Sequence, residues 1–264
     1  MCRLAAYIGS QAVPLSALLY DPPHSLERAS YAPRELLSGT VNVDGTGVAW
    51  WPEDRSEPLR YVTTKPPWSD PNLPDLAPAL QGRTVLAAVR SATPGIPFGP
   101  SNVAPFVAGG LAGVHNGWIG GFRHGVGREL LSSLSDERFG QLAAMNDSLA
   151  LFLLVAQQFD DEPGKSLGDA VTTVIQNAAK AVVAADRAAT LNLVVASRSE
   201  IVAVRTSAGT DANSLYWLAT DTGSLVASEP LDPDDEWTAV PKHSLVVLTK
   251  DRVDIRPIEH EGMS

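Results

Sequence analysis

The sequence predicts an α+β protein with antiparallel sheets, and the order of its segments supports this prediction. Short apolar runs typical of β-strands fill the chain up to about residue 119. Two longer segments with helical composition follow, at residues 148–159 and 166–185. After Asp186 the chain returns to pairs of strand segments. Strands, then helices, then strands favour an α+β arrangement over an alternating α/β one.

The first half of the chain predicts strands separated by turns. Apolar segments of about the length of a strand recur there, with glycine or proline between them. Prolines concentrate between residues 66 and 78, where only a short helix fits. The predicted strand segments are residues 4–8, 41–51, 60–64, 84–89 and 111–119.

The second half predicts the two helices and then three hairpins. The helical segment at residues 166–185 begins at Ser166, a side chain typical of an N-cap. Each predicted hairpin joins two short apolar segments across a polar turn. The paired segments are residues 191–196 with 201–205, 214–219 with 224–228, and 244–249 with 253–258.

Composition limits the class of protein. The chain has 264 residues, 44% of them hydrophobic, and we expect a single domain over residues 2–264. A formal net charge of −10 argues against a nucleic acid partner, because phosphate binding needs clustered Lys and Arg. A single cysteine excludes an intramolecular disulfide and suits a reducing compartment. Since residues 1–20 lack signal-peptide features and no segment is apolar enough to span a membrane, we expect a cytoplasmic protein.

Cys2 is the only cysteine of the chain and follows directly on Met1. Because the side chain of Cys2 is small, we expect aminopeptidase to remove Met1 and expose the α-amino group of Cys2. The thiolate is the reactive form of cysteine, and an α-amino group has a pKa of about 7.7–8.0, low enough for it to serve as the base of the thiol. Cysteine also stands second in some chains by chance, so the prediction of a nucleophile depends on other residues.

Two charged residues stand at the ends of predicted elements. Arg90 ends the strand segment at residues 84–89, where an arginine is consistent with a surface cap. Its planar fork at the mouth of a sheet also suits a substrate carboxylate. Asp147 precedes the first long helical segment, where aspartate is ordinarily a cap. If it is exposed, it would instead bind an ammonium group.

Asn116-Gly117 lies within the strand segment at residues 111–119. Asn-Gly is typical of a hairpin turn, but little strand sequence follows it before Gly120-Gly121. The alternative is an oxyanion hole, in which the side-chain N–H of Asn116 and the backbone N–H of Gly117 point at one developing negative charge.

Together these positions resemble the class II glutamine amidotransferases, a family of N-terminal-nucleophile hydrolases. That family begins with Met-Cys and contains, in order, an Arg-x-x-Thr segment, an Asn-Gly pair and an Asp near a helix start. The matching residues here are Cys2, Arg90 with Thr93, Asn116-Gly117 and Asp147. The resemblance implies a four-layer αββα sandwich with antiparallel sheets. It also implies a γ-glutamyl amidohydrolase, and we expect neither a cofactor nor a metal.

The resemblance also implies a role for each matching residue. Cys2 would attack the γ-carbonyl of a glutamyl group and form a thioester, which water hydrolyses to release glutamate. The Asn116-Gly117 pair would stabilise the oxyanion. Arg90 and Thr93 would bind substrate, Arg90 by pairing with the α-carboxylate. Asp147 would pair with the α-ammonium group.

Four segments look like the ergothioneine-pathway branch of the family, whose members hydrolyse γ-glutamyl-hercynylcysteine sulfoxide. They are residues 21–26, 42–47, 90–95 and 228–231. Leu4 stands where that branch more commonly has histidine, which leaves another γ-glutamyl substrate open. We therefore expect a small-molecule γ-glutamyl substrate, and the sequence identifies no protein partner.

Several other residues have a structural and a functional interpretation. His115 is predicted to be a hydrogen-bonded core histidine rather than a catalyst. His24 is either a loop residue or shapes the mouth of the active site. Trp118 is either a core residue or the floor of a substrate pocket, where it could hold a quaternary ammonium group. The acidic residues at 232–236 lack calcium-loop spacing and predict a solvated loop rather than a metal site.

Two alternative functions stay open. One is a glutaminase subunit that delivers ammonia to a synthase on another chain. The other is a non-catalytic binding module of the same fold. The presence of Cys2, Arg90, Asn116-Gly117 and Asp147 together argues against the binding module, which has no chemical need for all of them.

Overall fold

The computed structural model describes residues 2–92, 98–162 and 164–263. Within these residues the chain forms two sheets of seven strands each. The strands are β1 (Arg3–Pro14), β2 (Thr46–Trp50), β3 (Leu59–Thr63), β4 (Gln81–Val89), β5 (Phe106–Ala108), β6 (Leu111–Ile119), β7 (Ala189–Ala196), β8 (Ile201–Arg205), β9 (Ser207–Ala208), β10 (Tyr216–Ala219), β11 (Gly223–Ala227), β12 (Thr238–Ala239), β13 (Ser244–Leu248) and β14 (Val253–Pro257).

The helices lie in three stretches between the strands. They are α1 (Ser16–Leu19), α2 (Leu26–Tyr31), α3 (Leu73–Leu76), α4 (Val126–Leu131), α5 (Asp136–Gly140), α6 (Asp147–Asp161) and α7 (Leu167–Ala184). Single 3₁₀ turns occur at Pro67–Ser69, Pro100–Asn102 and Phe122–His124. Among the described helices, none combines the length and the apolar character that crossing a bilayer requires.

Both sheets are antiparallel. The first has the strand order β12-β10-β11-β1-β4-β2-β3, so that the N-terminal strand lies at its centre. The second has the order β14-β13-β8-β7-β6-β5, with β9 paired to β7. The three predicted hairpins are confirmed as the antiparallel pairs β7–β8, β10–β11 and β13–β14.

Alternating side chains of the strands build a four-layer sandwich. On β1, Leu4, Ala6 and Ile8 pack between the two sheets. Ala5 and Tyr7 point the other way, against residues of α1, α2 and α3. The far face of the second sheet packs against α6 and α7. This order confirms the predicted α+β class and the αββα arrangement with antiparallel sheets.

The two long helices occur where the sequence predicts them, with small shifts at their ends. Helix α7 begins after Ser166, whose hydroxyl accepts a hydrogen bond from the Asp169 amide, as expected of an N-cap. Helix α6 begins at Asp147, one residue earlier than predicted, because Asn146 is the cap and accepts a hydrogen bond from the Leu149 amide at 2.6 Å. Asn116-Gly117 lies inside the uninterrupted strand β6, so the hairpin-turn alternative is wrong.

Candidate active site

One cavity collects residues from both sheets and from the start of α6. The register of the first sheet pairs Arg3 on β1 with Val89 on β4, which brings Cys2 and Arg90 to the same end of these two neighbouring strands. Of the predicted site residues, Cys2, Arg90, Gly117 and Asp147 line this cavity. Residues separated widely in sequence therefore converge on one space.

Arg90 is a buried cation at the wall of the cavity. Its side chain is 7% exposed, and its guanidinium lies over the ring of Phe98 at 5.8 Å. The buried Nη1 atom has no hydrogen-bond partner among the described residues. Because an unpaired buried charge is costly, this arrangement suits an anionic ligand that would satisfy the free N–H groups.

Asp147 is held at the first turn of α6 with its carboxylate at the cavity. The Oδ2 atom accepts a hydrogen bond from the Ile119 amide at 2.8 Å, and Oδ1 accepts one from the Ser148 amide at 2.8 Å. The first bond ties the start of the helix to the end of β6. Oδ1 also lies 3.3 Å from the Ser148 hydroxyl, so Oδ2 is the oxygen that keeps capacity for another donor, such as a bound ammonium group.

His115 lines the same cavity but is fixed as a structural residue. Its Nε2 donates to the Thr190 carbonyl at 2.9 Å, so Nδ1 is left to accept from the Ser148 hydroxyl at 3.0 Å. Burial lowers the pKa of His115, although the charge of Asp147 and the bond to Thr190 oppose this shift. Both ring nitrogens are thus occupied, in line with the predicted hydrogen-bonded core histidine.

Gly117 leaves room for this hydrogen bond. A Cβ atom at position 117 would collide with the Thr190 carbonyl oxygen and crowd His115 Nε2. A larger residue would therefore displace the strand pairing that holds the cavity wall.

The remaining predicted residues lie outside the cavity lining. Asn116 is fully buried on the opposite face of β6, where its Nδ2 donates to the Ser228 hydroxyl at 3.3 Å. Trp118 is partly exposed and is not among the described side chains that line the cavity, and its part in a substrate pocket stays a prediction. Thr93 lies outside the described residues.

The residue that follows Cys2 begins a buried polar cluster that the sequence did not predict. Cys2 is half-buried with a free thiol, and its carbonyl accepts a hydrogen bond from Arg3 Nε at 2.8 Å. Arg3 forms an ion pair with Glu229 at 3.1 Å, and both side chains are almost fully buried. His24 donates to the second oxygen of Glu229 at 2.6 Å. His24 is thus a buried loop residue that contacts Glu229.

Glu229 remains charged in this buried position. Burial alone would raise its pKa, but this effect is outweighed by the hydrogen bond from His24, the backbone amides of Arg34 and Glu35, and the charge of Arg3. The net result lowers the pKa of Glu229 to about 2. Two features of the sequence belong to this cluster, the segment at residues 228–231 and the arginine next to Cys2. Neither of them shows that Arg3 pairs with Glu229.

Glu229→Gln is expected to remove most of the stability that this carboxylate contributes at neutral pH. A pKa lowered from 4.5 to about 2 corresponds to about 3 kcal/mol. Because the folded-state pKa is lowered, the contribution is complete above about pH 5 and disappears as the pH falls through about 2. Denaturant unfolding at several pH values should therefore show that the difference in the free energy of unfolding between wild type and variant becomes smaller as the pH falls.

Glu53→Gln is the matched control, because Glu53 pairs with Arg83 on the surface and such pairs contribute little. Unfolding free energies of wild type and Glu229→Gln that stay parallel from pH 7 to pH 3 would contradict the assigned charge state.

Comparison with known proteins identifies the family. No family model matches the sequence. The chain is 34% identical over 98% of its length to a γ-glutamyl-hercynylcysteine sulfoxide hydrolase of Mycobacterium tuberculosis, covering 97% of that protein. It is 30% identical to a probable glutamine amidotransferase of Saccharomyces cerevisiae, over 99% of this chain and 85% of the other. The chain belongs to the class II glutamine amidotransferase family.

A solved structure agrees with this family assignment at the level of the fold. The structure of a glutamine aminotransferase class-II domain protein from Silicibacter pomeroyi superimposes with a TM-score of 0.71. It covers 98% of this chain and 100% of the other, at 23% sequence identity. The two proteins therefore share the same fold over 98% of this chain.

Proposed function

We propose that this class II amidotransferase is a γ-glutamyl amidohydrolase with Cys2 as its nucleophile, and that its substrate is γ-glutamyl-hercynylcysteine sulfoxide. The observation that carries the proposal is the shared cavity, in which Cys2 meets the carboxylate of Asp147 and the guanidinium of Arg90, whose Nη1 has no hydrogen-bond partner among the described residues. The substrate is suggested by the name of the mycobacterial relative.

The charges of the cavity match the two charges of a glutamyl α-carbon. Arg90 would bind the α-carboxylate through its free N–H groups, in the planar geometry that a guanidinium offers. Asp147 would bind the α-ammonium group. Anchoring both charges fixes the direction of the side chain, so that the γ-carbonyl reaches Cys2 in a reactive orientation.

The chemical steps follow from the N-terminal position of the nucleophile. The neutral α-amino group of Cys2 would take the thiol proton as the sulfur attacks the γ-carbonyl and forms the carbon–sulfur bond. When the tetrahedral intermediate collapses, the carbon–nitrogen bond breaks, and the protonated α-amino group of Cys2 returns the proton to the leaving amine. Water then attacks the thioester, releases glutamate and restores the thiol.

Asn116→Ala is expected to slow acylation by about a hundredfold or more with little change in substrate binding. In the proposed mechanism the Asn116 side chain and the Gly117 amide stabilise the oxyanion, which exists only in the transition state and intermediate. Single-turnover rates and KM for glutamate release separate the two effects. A variant whose KM rises while its rate stays unchanged would assign Asn116 to substrate binding instead.

A substrate panel tests the proposed function directly. Glutamate release is measured with γ-glutamyl-hercynylcysteine sulfoxide, with simple γ-glutamyl amides and with glutamine, each over a range of concentrations. The highest kcat/KM for the sulfoxide supports the proposal. A preference for glutamine would indicate a glutaminase that supplies ammonia to a partner, and no release from any of them would indicate a binding module.

A further inference from the structure

The segment after β11 lies between the two halves of the proposed catalytic apparatus. Ser228 continues β11 beside the start of β1, and its amide donates to the Leu4 carbonyl at 2.9 Å. Leu4 is two residues from Cys2 in the first sheet. Asn116 belongs to β6 in the second sheet. Ser228 therefore lies where it can contact both the start of β1 and Asn116 on β6.

The hydroxyl of Ser228 makes this connection. It accepts one hydrogen bond from the Leu4 amide at 3.1 Å and another from Asn116 Nδ2 at 3.3 Å. Ser228 is 1% exposed, so these bonds do not compete with bulk water. A single oxygen atom thus links the strand that begins next to Cys2 with the side chain of Asn116.

The Asn116 amide has two N–H donors, and this contact uses one of them. The other N–H has no hydrogen-bond partner among the described residues, and in the proposed function it faces the oxyanion. Asn213 Nδ2 donates to the Asn116 carbonyl oxygen at 2.8 Å and lies 3.4 Å from Asn116 Oδ1. Because Asn213 Nδ2 is a donor, the side-chain atom of Asn116 that faces it is the oxygen, and the atom that faces Ser228 is the nitrogen. The orientation of the amide group is therefore determined on both sides.

Ser228 is itself held rigidly. The Ser214 hydroxyl donates to its carbonyl at 2.8 Å. The next residue, Glu229, is anchored by Arg3, His24 and the amides of the loop at residues 34–35. A hydroxyl between such fixed points can set a distance rather than merely fill space.

We propose that Ser228 is a positioning residue, which directs the free N–H of Asn116 toward the oxyanion that forms at Cys2. The inference rests on the proposed function, in which Cys2 is the nucleophile. Without the hydroxyl, the Asn116 amide can rotate or shift, and a displacement of about 1 Å can cost up to roughly a hundredfold in rate. Binding of the glutamyl α-carbon, which depends on other residues, would be preserved.

The test compares Ser228→Ala with Ser224→Ala, a buried serine on β11, the strand that Ser228 follows, where it is paired with Ile8. Steady-state glutamate release should show kcat lowered about tenfold to a hundredfold for Ser228→Ala, with KM within about twofold. Ser224→Ala should match the wild type. A kcat for Ser228→Ala equal to that of the control would overturn the proposal.

A double-mutant cycle distinguishes positioning from a general structural effect. In the Asn116→Ala background, Ser228→Ala should lower kcat little further, because both changes act through the same donor. Losses that multiply would overturn the proposal. If Ser228→Ala does not fold, Ser228→Cys under reducing conditions keeps the volume with a weak acceptor, and it must show the same fall in kcat.

The two proposals fail in different ways. Normal turnover by Cys2→Ala would show that Cys2 is not the nucleophile, and the proposed function would fail. An inactive Cys2→Ala together with an unaffected Ser228→Ala would leave the proposed function standing and overturn only the role of Ser228.

Discussion

Replacing Cys2 with alanine is expected to abolish glutamate release while leaving the binding of the glutamyl group nearly unchanged. The thiol supplies the electron pair for the new carbon–sulfur bond, and no other cysteine occurs in the chain. Loss of a nucleophile typically costs on the order of 10⁴-fold or more in rate. Arg90 and Asp147 remain in the cavity, so calorimetric titration with a γ-glutamyl substrate should give a similar Kd for wild type and variant.

Cys2→Ser separates the contribution of the Cys2 thiol from that of its α-amino group. It keeps the N-terminal amine and exchanges the thiol for a poorer nucleophile, so slow residual turnover is expected. Mass spectrometry of each variant checks that Met1 has been removed, since a retained Met1 would block the amine. Normal turnover in Cys2→Ala, or full activity of a chain that keeps Met1, would refute nucleophilic catalysis by this residue.

Local sequence patterns predict the elements well where each is specified by its own residues. The three hairpins follow from pairs of apolar segments, and α7 follows from Ser166 and the apolar helix after it. The start of α6 is less certain from sequence, because Asn146 and Asp147 are both good N-caps and the pattern does not choose between them.

The assembly of the candidate site was predictable only through resemblance to a family. Cys2 and Arg90 meet because β1 pairs with β4 in one register, which is a long-range property that no local pattern contains. Asn116-Gly117 has the sequence of a tight turn but lies in a strand, since its neighbours on β6 pair continuously with β7. In this case tertiary pairing overrides the local turn preference.

The buried Arg3–Glu229–His24 cluster was not predictable for a related reason. A charged residue beside a nucleophile has the same appearance in sequence whether it is exposed or paired. Its partner here is more than two hundred positions away along the chain. Only the fold shows that β11 delivers Glu229 next to the start of β1.

Arg90→Ala is expected to lower kcat/KM by about a hundredfold or more, chiefly through a higher KM. Truncating one partner of a buried, hydrogen-bonded charge pair costs about 2–5 kcal/mol. In the complex proposed here, the substrate carboxylate would lose its only assigned cation and remain desolvated. A loosely held α-carbon also misaligns the γ-carbonyl, so the acylation rate should fall together with affinity.

The shape of the guanidinium, and not only its charge, should be required. Arg90→Lys keeps the charge but offers a point donor in place of a planar fork, so it should rescue less than a tenth of the lost kcat/KM. Arg83→Ala is the control on β4, the strand that Arg90 follows, because the side chain of Arg83 is 56% exposed and pairs with Glu53 at the surface. If Arg90→Ala left KM for γ-glutamyl substrates at the value of this control, the carboxylate would have to bind elsewhere. The proposed function would then depend on Cys2 and the Asn116-Gly117 pair alone.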